Sequence, residues 1–344
     1  MATPPADPAT IARGLTEAFP ELGDVAVTKT LGIGFNSIAV ETGGGLLFRV
    51  ARTEGTAARF AMETRLLPIL RASLPVAVPE PRWFAPRTSH FPLGVIGYPK
   101  IEGRPLQPGL VNTDNLPELA DQAARVLVAL HSVPRSEVAD VGLPQPDEMS
   151  DNYRSLAHET LPVLKERMAP LEFDRLNLWW EAFLADERMT QFEPALTHGD
   201  FWFENMIVDE GASQLVGVVD WEHATIGDRA QDLATLLHLG RGFTSETLRA
   251  YRRTRRSVRR RRLLPHGAAL GASRLLRRPL RDPLRRWGGA GRLDPKTSGR
   301  PCVDGLGRAV IASELGKEVM RMHTQRCVGL APRAIRDSLE VGIS

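Results

Sequence analysis

The apolar positions of this chain follow two periods, strict alternation in short runs and a helical spacing in longer ones, and these set the order of predicted elements. A helix is expected over residues 10–22 and a strand from Val25 to Leu31. Leu31-Gly32-Ile33-Gly34-Phe35-Asn36-Ser37-Ile38-Ala39-Val40 reads as strand, glycine turn, strand, and Leu46-Leu47-Phe48-Arg49-Val50-Ala51-Arg52 alternates as another strand. A helix begins near Thr56, and the apolar run Val95-Ile96-Gly97-Tyr98 predicts a strand before Pro99. From residue 116 the spacing is helical: Leu116, Leu119, Ala123, Val126, Leu127 and Leu130 share a face that ends at His131-Ser132 ahead of Pro134. His131 reads as a helix-end residue, capping or packed. Leu176 to Phe183 predicts a second helix whose Trp179 and Trp180 belong to a core. Further on, Met206–Asp209 and Leu215–Asp220 flank the turn residues Glu210-Gly211-Ala212-Ser213 and predict a β-hairpin. Gly227-Asp228 opens a helix through Leu239, and no internal repeat is visible.

The hairpin concentrates chemistry. It brings Asn205 and Asp220 to neighbouring positions at its open end. Both offer oxygen donors suited to Mg²⁺, which takes a few protein oxygens together with substrate phosphates. Asp200 lies five positions before Asn205 on the loop entering the hairpin, so its carboxylate can face an acceptor hydroxyl rather than the metal. Near the start of the chain, Gly32 and Gly34 would let backbone amides approach phosphate oxygens, with Ser37 adding a hydroxyl.

His198-Gly199-Asp200 with Asn205, Asp220-Trp221-Glu222, and Gly227-Asp228-x-x-x-Asp232-Leu233-Ala234 resemble the aminoglycoside phosphotransferase family, which also includes macrolide phosphotransferases and choline-like kinases. Gly199 and Trp221 replace residues of the His-Arg-Asp and Asp-Phe-Gly motifs of eukaryotic protein kinases, which favours the small-molecule branch. The resemblance covers roughly residues 25–248 and is most specific from His198 to Ala234. It implies an α+β, two-lobed protein-kinase-like fold with a β-rich N-lobe and a mainly helical C-lobe. The implied reaction moves the γ-phosphoryl group of ATP or GTP to a hydroxyl of a small molecule, with Asp200 as base and Asn205 and Asp220 holding Mg²⁺. Arg49 occupies the slot of the phosphate-pairing lysine, with Glu63 as its helix partner and Arg52 as a further candidate for the same role. Pro99, through its carbonyl, and Ile101, through its amide, match the inter-lobe hinge that holds the nucleotide base. His198 would orient the loop, and Asp232 would steady it. The implied acceptor is an aminoglycoside, a macrolide or a related metabolite: Glu204, Glu222 and Asp228 suit a cationic one, whereas Phe201, Trp202 and Phe203 suit a bulky apolar one or a choline-type ammonium. Two alternatives stay open, a nucleotide-binding pseudoenzyme without a formed acceptor site and a choline- or homoserine-type metabolite kinase.

Composition changes this picture at one end of the chain. The net charge of +3 over 344 residues conceals 20 Lys+Arg against 34 Asp+Glu in residues 1–248, and 24 against 7 in residues 249–344. Between Arg249 and Arg292 there are 16 arginines and no lysine, and all 12 phenylalanines occur by Phe243. Three readings of this segment stand side by side: a disordered or nucleic-acid-binding arm, a basic helix at a membrane, or the product of a reading-frame shift in a GC-rich gene. Tyr251 and Trp287 are too few and too far apart to interleave for base stacking, which argues against nucleic acid as a partner. The divisions expected are 1–97 as nucleotide lobe, 98–105 as hinge, 106–248 as catalytic lobe and 249–344 as the atypical segment. No stretch approaches the apolar length of a membrane span, and the start lacks the basic flank and apolar run of a signal peptide, so a cytoplasmic enzyme with nucleotide and small-molecule partners and no membrane contact is expected. Cys302 and Cys327 are too few for a disulfide framework or a cysteine zinc site.

Overall fold

The computed structural model describes residues 7–34, 36–185 and 192–262, giving only the helical backbone at 146–153 and 258–262. The arginine-rich sequence from 263 onward, both cysteines, and the readings placed on that stretch lie outside the described residues. The chain forms two compact units, one of Met1–Leu143, Asp200–Ala224 and Thr235–Ser257, the other of Pro144–Gly199, Thr225–Ala234 and Val258–Ser344.

The first unit begins with α1, Pro8–Ala18, whose N-terminus is capped by the Asp7 carboxylate accepting from the Thr10 amide at 2.9 Å. This helix is shorter than its apolar pattern predicts. Pro20 cannot donate the next helical hydrogen bond, so Pro20–Leu22 tightens into a 3₁₀ turn. Strands β1 (Val27–Ile33), β2 (Ser37–Thr42), β3 (Leu46–Ala51), β4 (Trp83–Ala85) and β5 (Val95–Pro99) make an antiparallel sheet in the order β1-β2-β3-β5-β4. Ile38 and Val40 of β2 and Phe48 and Val50 of β3 point to one face and form a core with Ile11, Leu15 and Phe19. On the opposite face Ala51 packs with Ile96 and with Phe60 of α2, Glu54–Ser73. Strand β3 is therefore covered on both sides, and the residue it presents to α2 beside Ala51 is Arg49. Gly97 of β5 stands opposite Phe48, and a Cβ there would overlap the Phe48 ring.

A second sheet in this unit joins β6 (Arg104–Pro105), β8 (Met206–Val208) and β9 (Leu215–Val218) in the order β6-β8-β9. The last two are the predicted hairpin, closed by Asp209, whose Oδ1 accepts from the amides of Ser213 and Gln214 at 2.7 and 2.8 Å. The amphipathic α3, Leu116–Leu130, ends at His131, whose Nδ1 lies 2.9 Å from the Tyr251 hydroxyl. Tyr251 belongs to α7, Arg241–Arg262, which runs without a break through residue 248, with Ala250 and Tyr251 both buried.

The second unit packs α4 (Pro146–Lys165) on α5 (Pro170–Leu184) around Leu156, Leu164, Leu176 and Trp180. Strands β7 (Ala195–Thr197) and β10 (Thr225–Gly227) pair antiparallel. That pairing takes Gly227 out of the helix predicted from it; α6 is only Ala230–Ala234, followed by a 3₁₀ stretch Thr235–Leu239. Among the described residues no helix is long and apolar enough to cross a membrane. Gly97→Ala should lower stability by about 1–3 kcal/mol through overpacking against Phe48, which urea unfolding of the variant beside the parent will measure.

Candidate active site

Arg49 is only 9% exposed, with its guanidinium carbon 5.2 Å from the centre of the Phe60 ring. A cation this buried needs counter-charges, because leaving water costs several kcal/mol. Its two terminal nitrogens find them on different elements. Nη1 donates to Glu63 of α2 at 3.1 Å to Oε1 and 3.5 Å to Oε2. Nη2 donates to Glu222 Oε2 and lies 3.4 Å from Asp220 Oδ1. Burial works against the Arg49 charge, but Glu63, Glu222 and Asp220 together hold its pKa well above the ordinary value. Burial pushes the Glu63 carboxyl up to about 7; Arg49 opposes the rise, and the charges of Glu222 and Asp220 add to it. Glu222 uses its other oxygen, Oε1, to accept from Asn36 Nδ2 at 3.1 Å. His223 Nε2 lies 3.6 Å from the same oxygen, and burial keeps that imidazole below its usual pKa.

The hairpin of β8 and β9 completes the candidate site within the same unit. The Val219 amide donates to the Asn205 carbonyl at 2.9 Å, one step beyond the strands, which sets Asn205 beside Val219-Asp220. Asn205 Nδ2 donates to the Asp200 carbonyl at 2.9 Å and to Asp200 Oδ2 at 3.1 Å, so its nitrogen faces the predicted base and its carboxamide oxygen is turned the other way. Asp220 adopts a left-handed backbone, φ 64° and ψ 65°. Aspartate tolerates that region better than most residues, and such conformations gather at functional sites. Its Oδ1 is buried without a hydrogen bond, while the side chain as a whole keeps 39% exposure. A carboxylate oxygen without a hydrogen bond, on the same hairpin as an oriented carboxamide, belongs to a donor set that fits a hard divalent cation such as Mg²⁺.

Residues just before Asp200 are fixed in the second unit. The fully buried Asp232 accepts from the amides of His198 and Gly199, both at 2.9 Å, and Gln231 Nε2 donates to the Gly199 carbonyl at 3.2 Å. Gly199 sits at φ 83°, where a side chain would be strained. Just after Asp200, the Trp202 amide donates to its carbonyl at 2.8 Å, and Thr235 Oγ1 donates to the Phe201 carbonyl at 2.6 Å. The Trp202 ring stacks on Phe203 with centroids 4.2 Å apart and meets His238 edge-on at 4.8 Å.

The glycine turn is anchored as well. The Gly34 amide closes onto the Ser37 carbonyl at 3.0 Å, so this donor is spent within the hairpin. Arg52 holds the turn, its amide donating to the Asn36 carbonyl at 2.9 Å and its guanidinium to Gly34 O. Gly32 pairs with Ala39, and Ser37 with Ala51. Pro99 pairs with Leu46, three positions before Arg49, and Ile101 packs over Gly217.

Of the residues singled out from sequence, Arg49, Glu63 and Asp220 meet in one network, and Asp200 meets Asn205. Gly32, Gly34 and Ser37 approach the network through Asn36 of the same turn. Glu222 requires correction: expected among the acids facing a cationic acceptor, it is 5% exposed and committed to Arg49 and Asn36. Asp228 caps α6, accepting from the Ala230 amide at 3.1 Å, and only Glu204 is exposed. Asn36 and the Arg49-facing role of Glu222 were missed; the sole signal was an acid two residues after Asp220.

Fold and site define a protein of the two-lobed, protein-kinase-like α+β class. The profile of the phosphotransferase enzyme family matches residues 29–265, more than half of the chain, and the chain belongs to that family. It is 31% identical over 84 residues to acyl-CoA dehydrogenase family member 11 of Rattus norvegicus, covering 24% of this chain and 9% of that one. It is 39% identical over 70 residues to an aminoglycoside 3'-phosphotransferase of Escherichia coli, covering 19% and 25%. The chain thus spans a quarter or less of these two relatives. The solved structure of APH(2'')-IIIa with GDP and kanamycin superposes with a TM-score of 0.62 at 23% identity, over 69% of this chain and 80% of that one.

Because Glu63 binds its proton more tightly in the folded chain than at its ordinary pKa of 4.5, the folded state holds more protons between pH 4.5 and 7. Its stabilising share is complete below that window and is lost as pH rises through it. The stability difference between Glu63→Gln and the parent should therefore shift in the variant's favour as pH rises across the window, by at most about 3 kcal/mol, as read from urea unfolding of both at pH 5 and pH 7.5. Asp232→Ala, which strands two buried amides, should cost about 2–4 kcal/mol in the same assay.

Proposed function

We propose that this protein transfers the γ-phosphoryl group of ATP or GTP to a hydroxyl of a small molecule. The observation that carries the reading is the convergence, at the open end of one hairpin, of Asp200, an Asn205 oriented by it, and an Asp220 with an unsatisfied buried oxygen, beside the buried Arg49. Asp200 orients the acceptor hydroxyl and takes its proton as the oxygen attacks the γ-phosphorus. The bond from that phosphorus to the β–γ bridging oxygen breaks, nucleoside diphosphate leaves, and Asp200 passes its proton to solvent. Asn205 and Asp220 would hold Mg²⁺, which would neutralise charge on the phosphates. Arg49, with the glycine turn, positions the phosphate chain; Pro99 and Ile101 hold the base. Positioning and charge stabilisation carry most of the rate because the transition state is loose. A cytoplasmic setting supplies these nucleotides.

Glu222 and Asp228 are engaged elsewhere, which weakens the case for a polycationic acceptor. Beside Asp200 stands the half-buried Trp202–Phe203–His238 group, with the 40% exposed Leu237 next to it in sequence. This surface suits a macrolide-like or otherwise largely apolar hydroxyl compound better. A second reading comes from the similarity to acyl-CoA dehydrogenase family member 11, whose name suggests an acyl-CoA compound bearing a hydroxyl as acceptor.

The test is nucleotide consumption by the full chain with Mg²⁺ and ATP or GTP against aminoglycosides, macrolides, choline, homoserine and hydroxyacyl-CoA. Acceptor-dependent turnover is expected, falling about 10²–10⁴-fold in Asp200→Ala and nearly to background in Asp220→Ala. Full turnover in either variant contradicts the assignment, and MgADP binding without transfer to any acceptor would identify a pseudoenzyme.

A further inference from the structure

We propose that Glu222 is a positioning residue for the nucleotide, tying the β3 arginine to the glycine turn so that these two phosphate-facing elements keep one spacing. Its two oxygens serve partners far apart in sequence. Oε2 takes Arg49 Nη2, and Oε1 takes Asn36 Nδ2 at 3.1 Å. Asn36 is itself set in the turn, since its carbonyl accepts from the Arg52 amide at 2.9 Å and the Gly34 amide closes onto Ser37. Glu222 is 5% exposed, so neither of its bonds is a screened surface contact.

Glu222 also protects Asp220. Arg49 Nη2 lies 3.4 Å from Asp220 Oδ1, the oxygen that makes no hydrogen bond. With Glu222 occupying Nη2, the arginine stays beside Asp220 without closing on it, and that oxygen remains available to a cation. The same arrangement accounts for arginine where lysine is expected. A planar fork presents Nη1 to Glu63 and Nη2 to Glu222 simultaneously, whereas a single ammonium has one nitrogen to share between them. Arg49 and Glu222 are a matched pair.

The proposal rests on the phosphotransferase reading, and its test separates the two. MgADP binding to the full chain is measured by calorimetry for the parent, Glu222→Gln, Asn36→Ala, Arg49→Lys and the double variant R49K/E222Q, at low and high Mg²⁺. Expected is a loss of about tenfold in affinity for E222Q and R49K, a smaller loss for N36A, and a double variant no weaker than the weaker single one, because both changes break one unit. With an acceptor identified, E222Q should raise the nucleotide KM and leave the acceptor KM unchanged. Additive losses would show that Glu222 and Arg49 act independently, and an E222Q defect relieved by high Mg²⁺ would make Glu222 a metal ligand; either result overturns the proposal. Should E222Q fail to fold, N36A decides alone, since it leaves the Arg49 ion pairs in place: affinity within twofold of the parent overturns the tie. A parent that does not bind MgADP refutes the phosphotransferase reading itself, while a binding parent with unaffected variants refutes only the role of Glu222.

Discussion

One guanidinium buried against α2 obliges three carboxylates from two distant parts of the sequence to converge. Arg49 sits on the strand that both cores of the first unit cover, so it cannot escape to water without unpacking Phe60 or shifting β3. Removing one partner of such a buried pair typically costs about 3–5 kcal/mol because the other charge is left uncompensated. That penalty constrains the position of Glu63 on α2, the path of the chain from Asp220 to Glu222, and, through Asn36, the glycine turn. The Arg49 half of the candidate site is a consequence of satisfying this cation.

Three carboxylates around one cation leave an excess of negative charge. Part of it is relieved by the raised pKa of Glu63. Asp220 is the most exposed of the three acids and the one whose backbone is held left-handed. Asp200 is controlled differently. Asn205 donates to its carboxylate, and the Trp202 amide donates to its backbone carbonyl.

Much of this was legible before folding. Where an element is local, its signal survived: the alternation of Leu46–Ala51, the helical face of Leu116–Leu130 and the turn chemistry between Met206 and Leu215 all found their predicted types. Where an element exists only through pairing, the signal failed. Arg104-Pro105 is a strand because Ile207 and Val208 pair with it, and Thr225–Gly227 became a strand rather than a helix start because Ala195–Thr197 lies alongside. Two or three residues carry too little periodicity to show this. For the site, Asp200, Asn205, Asp220, Arg49 and Glu63 were visible as residue types at telling spacings. Glu222 was visible too but was given the wrong partner.

The sequence by itself determined the chemistry available: which carboxylates stand five residues before an asparagine, which hairpin carries them, and which strand holds an arginine. Those facts depend on local spacing, and local spacing is preserved when the chain folds. Tertiary structure alone decided the pairing of charges. Glu222 lies 186 residues from Asn36 and 173 from Arg49, and no periodicity links such positions. Their contact follows from the need to neutralise a buried cation, a demand that arises only once β3 is covered on both faces.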